Sequence, residues 1–432
     1  MLIMGRVFFK SRVAEPADLA FARSFPGEGP RAQASAGLVF FWAGLLYGLQ
    51  TLIYAAVEAG WIKVPSSYGL CLAIGPTLPF LGVIVYVAWR ERKGKGGVAT
   101  RALTACYTSA GLLNLIIALT FGWLAISRKS TTIWLLYPIV ICAMQGAVWY
   151  AASLIRRKLW LGLVSAGWFL TTLALTVLMT HVAAYLFCLG VALLVLMAAP
   201  GYAMKQSSVR ERALETLRTE KSVNTGSDTD PQAAREALAF IKALVDRGEQ
   251  VQLSGGLLLL SGGLLYGVQC LLHGLDMSGS LRMGALGHLI NGILPTILFL
   301  VILSVVLWRD RHKTHANAGS RAINAAFGGV GLANLFMNLV FGYAAFTQKL
   351  WLIWMLYPIS LCALMGAGWY VAAVAQRKLW PALVCAGWFV TAVLLAWRVE
   401  TPEYLLILSG ALVLLMAVPG YLLMRSDAGQ RA

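Results

Sequence analysis

The sequence predicts an all-α fold: a polytopic transmembrane helical bundle of about twelve helices, arranged as two parallel six-helix repeats. Three observations carry this. Of the 432 residues, 59% are hydrophobic and only 12% are charged, whereas an ordinary soluble domain has about 25% charged residues. The charges that do occur are gathered between uncharged runs of spanning length. The second half of the chain also repeats the first, in order and in register.

A helix rises about 1.5 Å per residue, so crossing about 30 Å of hydrocarbon takes about 20 apolar residues. Runs free of Lys, Arg, Asp and Glu occupy 34–57, 64–88, 102–127 and 130–155, and each fits one helix. The run 159–204 is about twice the length a single helix needs. It is expected to form two helices joined by a tight turn near Thr180 and His181. The second half gives runs at 251–275, 283–308, 322–348, 350–375, 379–397 and 404–424. There, Arg398 to Glu403 interrupt the chain at the point matching the long run of the first half, which supports dividing that run.

The recurrence is direct. Gly44-Leu-Leu-Tyr-Gly48 returns as Gly263-Leu-Leu-Tyr-Gly267, 219 residues later, and Gln50 returns as Gln269. Ile133-Trp-Leu-Leu-Tyr-Pro-Ile139 returns as Ile353-Trp-Met-Leu-Tyr-Pro-Ile359, 220 residues later. Ala166-Gly-Trp-Phe169 matches Ala386-Gly-Trp-Phe389, and Pro200-Gly-Tyr202 matches Pro419-Gly-Tyr421. Chance likeness between apolar segments does not hold one register through loops and tryptophans alike, so the expectation is duplication and fusion of a six-helix ancestor. Six is even, so both copies enter and leave on one side and are parallel rather than inverted.

Charge gives orientation. Loops after the second and fourth helices of each copy hold Arg90, Arg92, Lys93, Lys95, Arg101, Arg156, Arg157 and Lys158, then Arg309, Arg311, Lys313, Arg321, Arg377 and Lys378. The opposite loops hold only Lys63, Arg128, Lys129, Arg282, Lys349 and Arg398. The same bias in both copies predicts cytoplasmic termini. The expected localisation is multi-pass in a bacterial inner membrane. The formal charge of +17 is thus read as loop bias, and no nucleic-acid partner is expected.

The expected organisation is a cytoplasmic tail at 1–36, repeat one at 37–204, a cytoplasmic linker at 205–250, repeat two at 251–424 and a cytoplasmic tail at 425–432. Within the linker, Leu238, Ile241, Leu244 and Val245 share a face opposite Arg235, Lys242 and Arg247. That pattern fits an amphipathic helix on the membrane surface or on the protein's own loops.

Gly44, Gly48, Gly263 and Gly267 form GxxxG pairs, which let helix backbones approach closely where lipid supplies no hydrophobic drive. They are helix-packing candidates, packing either on the same neighbour in both copies or on each other at the central axis. Tyr137-Pro138 and Tyr357-Pro358 place a bend early in the fourth helix of each copy. This is read either as a kink with tyrosine in the interfacial belt, or as a hinge with a freed carbonyl. Asn114 and Asn334 recur in mid-helix, and Asn338 adds a turn in copy two. Each either bonds a neighbouring helix or lines a polar pathway. Together these residues are the substrate-pathway candidates. Trp149, Trp160, Trp369 and Trp380 flank the basic loops and read as a headgroup belt.

Ionisable residues are the usual pointers to function inside a membrane, and few are present. Glu58, His273, Asp276 and His288 lie near helix ends, and His181 in a turn. No chain of acids crosses the core, as a proton pump requires. His312 and His315 fall on a basic loop. No H-E-x-x-H, Walker or G-x-S-x-G pattern occurs, so no catalytic, cofactor-binding or metal-binding residue is expected. The cysteines Cys71, Cys106, Cys142, Cys188, Cys270, Cys362 and Cys385 form no C-x-x-C pair and are read as small apolar packing residues.

With basic loops at Trp89-Arg-Glu-Arg92 and Trp308-Arg-Asp-Arg311, two parallel six-helix halves resemble the major facilitator superfamily in topology. That family's loop signature is a Gly, then Asp-Arg, then Gly-Arg. Here Arg309-Asp310-Arg311 matches in part, while the preceding Gly and the following Gly-Arg spacing are missing from both loops. The resemblance therefore implies topology and no residue roles. The functional expectation is a transporter or flippase-like carrier of a neutral or lipid-like substrate, with its path between the two halves. The alternative is a non-transporting scaffold or sensor whose linker and basic loops hold a cytoplasmic partner. In either case the bilayer itself is the first partner.

Overall fold

The computed structural model describes residues 29–91, 98–208, 231–310 and 318–428. Among them there is no strand, and twelve helices are long and apolar enough to cross a membrane. The protein is an all-α, multi-pass helical bundle. Each helix satisfies its own backbone amides without water, as a membrane span requires.

The first half holds α1 (Gln33–Glu58), α2 (Ser67–Arg90), α3 (Thr104–Ser127), α4 (Thr131–Arg156), α5 (Leu159–Leu178) and α6 (Val182–Ser208). The second holds α7 (Ser254–Met277), α8 (Ala285–Asp310), α9 (Ile323–Gln348), α10 (Trp351–Gln376), α11 (Leu379–Trp397) and α12 (Pro402–Arg425). The long run of the first half divides into α5 and α6 through a turn at Met179, Thr180 and His181.

Two departures from a plain rod have local causes. The second span is not one helix: it breaks between Ile74 and Thr77, where Pro76 removes a backbone donor. The helix containing α7 runs unbroken from Pro231 to Met277, so its backbone continues from the linker into the membrane. The amphipathic faces expected at 232–247, the basic loops at 92–97 and 311–317 with His312 and His315, and the linker at 209–230 lie outside the described side chains.

Corresponding turns share their geometry. Lys129 and Lys349 close the third span of each half at φ 49° and 50°, and Arg157 and Arg377 close the fourth at 53° and 55°. Gly60 and Gly279 follow the first span at 74° and 76°, the left-handed region glycine occupies without strain.

The core is a four-helix centre in which α3 packs on α10 and α4 on α9, reciprocally across the halves. Small residues allow this approach: a Cβ added at Gly329 would come within 2.7 Å of the Ala147 carbonyl oxygen. Leu113, Ile117, Phe121, Ile133 and Leu136 of one half, and Met337, Phe341, Ile353 and Leu356 of the other, are fully buried. α1 with α6 and α7 with α12 form outer pairs. α2 packs on α1 and α8 on α7, and neither has another extensive contact.

Candidate functional site

The GxxxG helices do not meet at the centre. Each packs on the last span of its own half, at a widened turn. Residues 194–198 of α6 and 413–417 of α12 are π-helical, with Ala199 N–H bonding Leu194 and Val418 N–H bonding Val413. A Cβ on Gly44 would lie 2.4 Å from Ala198 N, and one on Gly263 2.5 Å from Ala417 N. Gly48 and Gly267 face the same turns, at 3.0 Å from Leu194 and Val413 side chains. A π turn is an inserted residue that α-helical bonding cannot absorb. In each half a carbonyl of that turn, Leu196 or Leu415, accepts the indole N–H of Trp168 or Trp388 at 3.2 Å. The recurring Ala-Gly-Trp-Phe motif is thereby explained. Its glycine (Gly167, Gly387) admits the Leu196 or Leu415 side chain, and its phenylalanine (Phe169, Phe389) fills a notch at Gly146 or Gly366.

Prolines create the other special carbonyls. Pro76 has no N–H for the Leu72 carbonyl, four residues back. Gln50 Nε2 donates to that oxygen at 2.8 Å and to the Ala73 carbonyl at 3.2 Å. In half two Pro295 stands at the same place. Gln269 Nε2 reaches the Gly292 carbonyl at 3.4 Å, and Asn291 Nδ2 donates to the Gln269 carbonyl at 3.1 Å. Beside Pro138, the Leu135 carbonyl accepts the Tyr185 hydroxyl at 2.6 Å, and beside Pro358 the Met355 carbonyl accepts that of Tyr404. Pro138 and Pro358 leave the Trp134 and Trp354 carbonyls without a helical donor, and the carbonyls one residue on are held by hydroxyls from α6 and α12.

The pathway candidates come together within each half. Tyr137 donates its hydroxyl proton to Asn114 Oδ1 at 2.8 Å, and Tyr357 donates to Asn334 Oδ1 at 2.7 Å. Asn338 also hydrogen-bonds the Tyr357 side chain. Trp134 stacks on Tyr137, and Trp354 on Tyr357. The tyrosine of each GLLYG motif joins the group. Tyr47 packs on Phe80 and Tyr266 on Phe299, rings of α2 and α8. The Tyr47 hydroxyl is 3.5 Å from Thr77 Oγ1. All these groups are uncharged and, Asn338 being exposed, the rest of Tyr47, Gln50, Thr77, Asn114 and Tyr137 with Tyr266, Gln269, Asn334 and Tyr357 are partly buried. In each half they lie on α1 or α7, on the kinked second span that packs on it, and on the third and fourth spans.

The space between the halves is different. A cavity of about 30 Å³ lies there, lined by Cys106, Ala110, Ala147, Ala326, Val330 and Ala367 among others. It has room for about two water molecules, and Asn114 and Asn334 do not line it. Across one face of the bundle Arg128 pairs with Glu400 at 2.6 Å, joining the halves.

Other expectations fall out as follows. Trp149 and Trp369 are buried in the bundle at 0% and 2% exposure, which removes them from a headgroup belt; both pack against the following helix through Trp160 and Trp380. His273, Asp276 and His288 do meet. Asp276 accepts the Met283 N–H at 2.8 Å and pairs with His288 at 3.4 Å, and His273 stacks on His288. Among the described residues no group of three His, Cys, Asp or Glu side chains has metal-holding geometry, and all seven cysteines are free.

Sequence reading missed Pro76 with Pro295, Tyr185 with Tyr404, and the two π turns. The first two pairs were findable, since each recurs at the 219-residue offset within the repeat. Compared with known proteins, the chain matches no family model, no curated protein and no solved structure.

Proposed function

We propose that the protein is a flippase-like transporter of a neutral amphiphile, and that its path runs along a lateral groove in each half. The carrying observation is the placement of the uncharged polar groups. Tyr47, Asn114 and Tyr137, with Tyr266, Asn334 and Tyr357, hold matching positions in the two halves, while the hollow between the halves is lined mainly by small apolar residues. Burying hydrogen-bonding groups in a membrane is costly, and a lipid-like headgroup is a partner that needs such groups and no charge. A second span attached along one side only suits a groove that opens toward lipid.

On this reading the halves arose by duplication of a six-helix unit. Both termini face the cytoplasm of a bacterial inner membrane, and the linker 205–250 joins two ends on that side. The central plane then serves as a fixed keel.

Purified protein in liposomes containing a fluorophore-labelled monoglycosyl diacylglycerol, whose headgroup is uncharged, tests this. Movement of the probe between leaflets, reduced several-fold by Asn114→Ala with Asn334→Ala, is the expected result. A folded protein that moves neither this probe nor a panel of neutral lipids would refute it.

A further inference from the structure

Three polar atoms of half one are buried without a hydrogen-bond partner: Tyr107 Oη, Gln145 Oε1 and Trp149 Nε1. Two of them belong to rings that both pack on Phe40. The Phe40 ring of α1 packs on Tyr107 of α3 at 5.0 Å and on Trp149 of α4 at 5.2 Å between centroids. Gln145 precedes Trp149 by one helical turn, which puts both on one side of α4. Gln145 is 7% exposed and Trp149 0%. Further along α4, Arg156 donates to Gln33 Oε1.

We infer that half one carries a water-binding pocket between α1, α3 and α4 that half two lacks. The three atoms supply complementary chemistry: the indole donates, the amide oxygen accepts, and the phenol does either. A buried water needs two to four such partners. Half two has Leu259, Phe327 and Met365 in place of Phe40, Tyr107 and Gln145, so only the Trp369 indole is left there without a partner. One donor does not hold a water. The pocket lies two turns from Asn114 and Tyr137 along the same two helices. It extends the polar character of half one toward Arg156 and makes the halves chemically unequal.

Radiolytic hydroxyl-radical labelling of the full-length protein in nanodiscs tests this, because bound water is the radical source for side chains that bulk solvent does not reach. Trp149 and Trp369 are equally buried and serve as mutual controls. Trp149 and Tyr107 are expected to label several-fold faster than Trp369. The variant Tyr107→Phe with Gln145→Met, which imports the residues of half two, is expected to bring Trp149 down to the Trp369 rate. Equal labelling of Trp149 and Trp369 in the wild type overturns the inference, as does a folded double variant whose Trp149 rate is unchanged. The wild-type comparison decides alone if the variant does not fold. Transport does not enter the readout, so this result stands or falls apart from the proposed function.

Discussion

Gln50 on α1 holds the carbonyl of Leu72 on α2, the oxygen that Pro76 leaves without a helical partner. In half two the matching glutamine, Gln269, reaches the Gly292 carbonyl near Pro295 at 3.4 Å. The Gln50 contact also ties the second span to the first at its weakest point. Gln50→Leu is expected to cost about 1–3 kcal/mol, the penalty of an unsatisfied buried carbonyl. In a Pro76→Ala background the same substitution should cost far less, because the helix then satisfies Leu72 itself. A double-mutant cycle on unfolding in mixed micelles measures the coupling.

The glycines that face the π turns should be the least replaceable. Gly44→Ala and Gly263→Ala each drive a methyl group onto backbone atoms, and each should lose at least about 1–3 kcal/mol. Gly69→Ala and Gly82→Ala meet nothing within 4 Å and should leave the unfolding midpoint unchanged or slightly raised. Thermal scans of the four variants in one detergent check the contrast.

Tyr137→Phe and Tyr357→Phe remove one interhelical hydrogen bond each, worth about 1 kcal/mol or less in a membrane. Stability should therefore change little. Lipid movement should fall several-fold in the double variant, since the groove wall loses its two central hydroxyls. Proportional loss of stability and activity would instead mark these residues as scaffold.

The Arg128–Glu400 pair is half-exposed on both sides, so neutralising it with Glu400→Gln should cost about 1 kcal/mol or less. The charge-swapped pair, Arg128→Glu with Glu400→Arg, should recover whatever is lost. Unfolding midpoints at low and high salt measure both.

Much of this was legible from sequence because the bilayer leaves little choice. A 20-residue uncharged run must close its own amides, so the spans, the turn at His181 and the all-α class follow from composition and length. Asn114, Tyr137 and their copies stood out because polar groups are scarce there. What stayed hidden depends on which face a residue takes in the assembled bundle. Trp149 and Trp369 sit near basic loops, as belt residues do, yet burial on Phe40 and Phe327 is a tertiary fact. The π turns look like ordinary Leu-rich helix, and only the opposing glycines and indoles reveal them. Small residues such as Gly329 and Ala147 bring the halves together at the centre, and an alanine or glycine carries no sign of the partner it will meet.

The direct measurement is lipid movement in liposomes with one or the other surface locked by a reducible cross-linker, in a background with the native cysteines replaced. One variant carries Arg128→Cys with Glu400→Cys and ties half to half. The other carries Leu78→Cys with Leu115→Cys, at exposed positions on α2 and α3, to tie the second span to the third in half one, with Ile297→Cys and Leu335→Cys, also exposed, for half two. The account predicts full activity with the halves tied, and loss with the grooves closed that reduction restores. Activity lost by tying the halves and kept with closed grooves would contradict it.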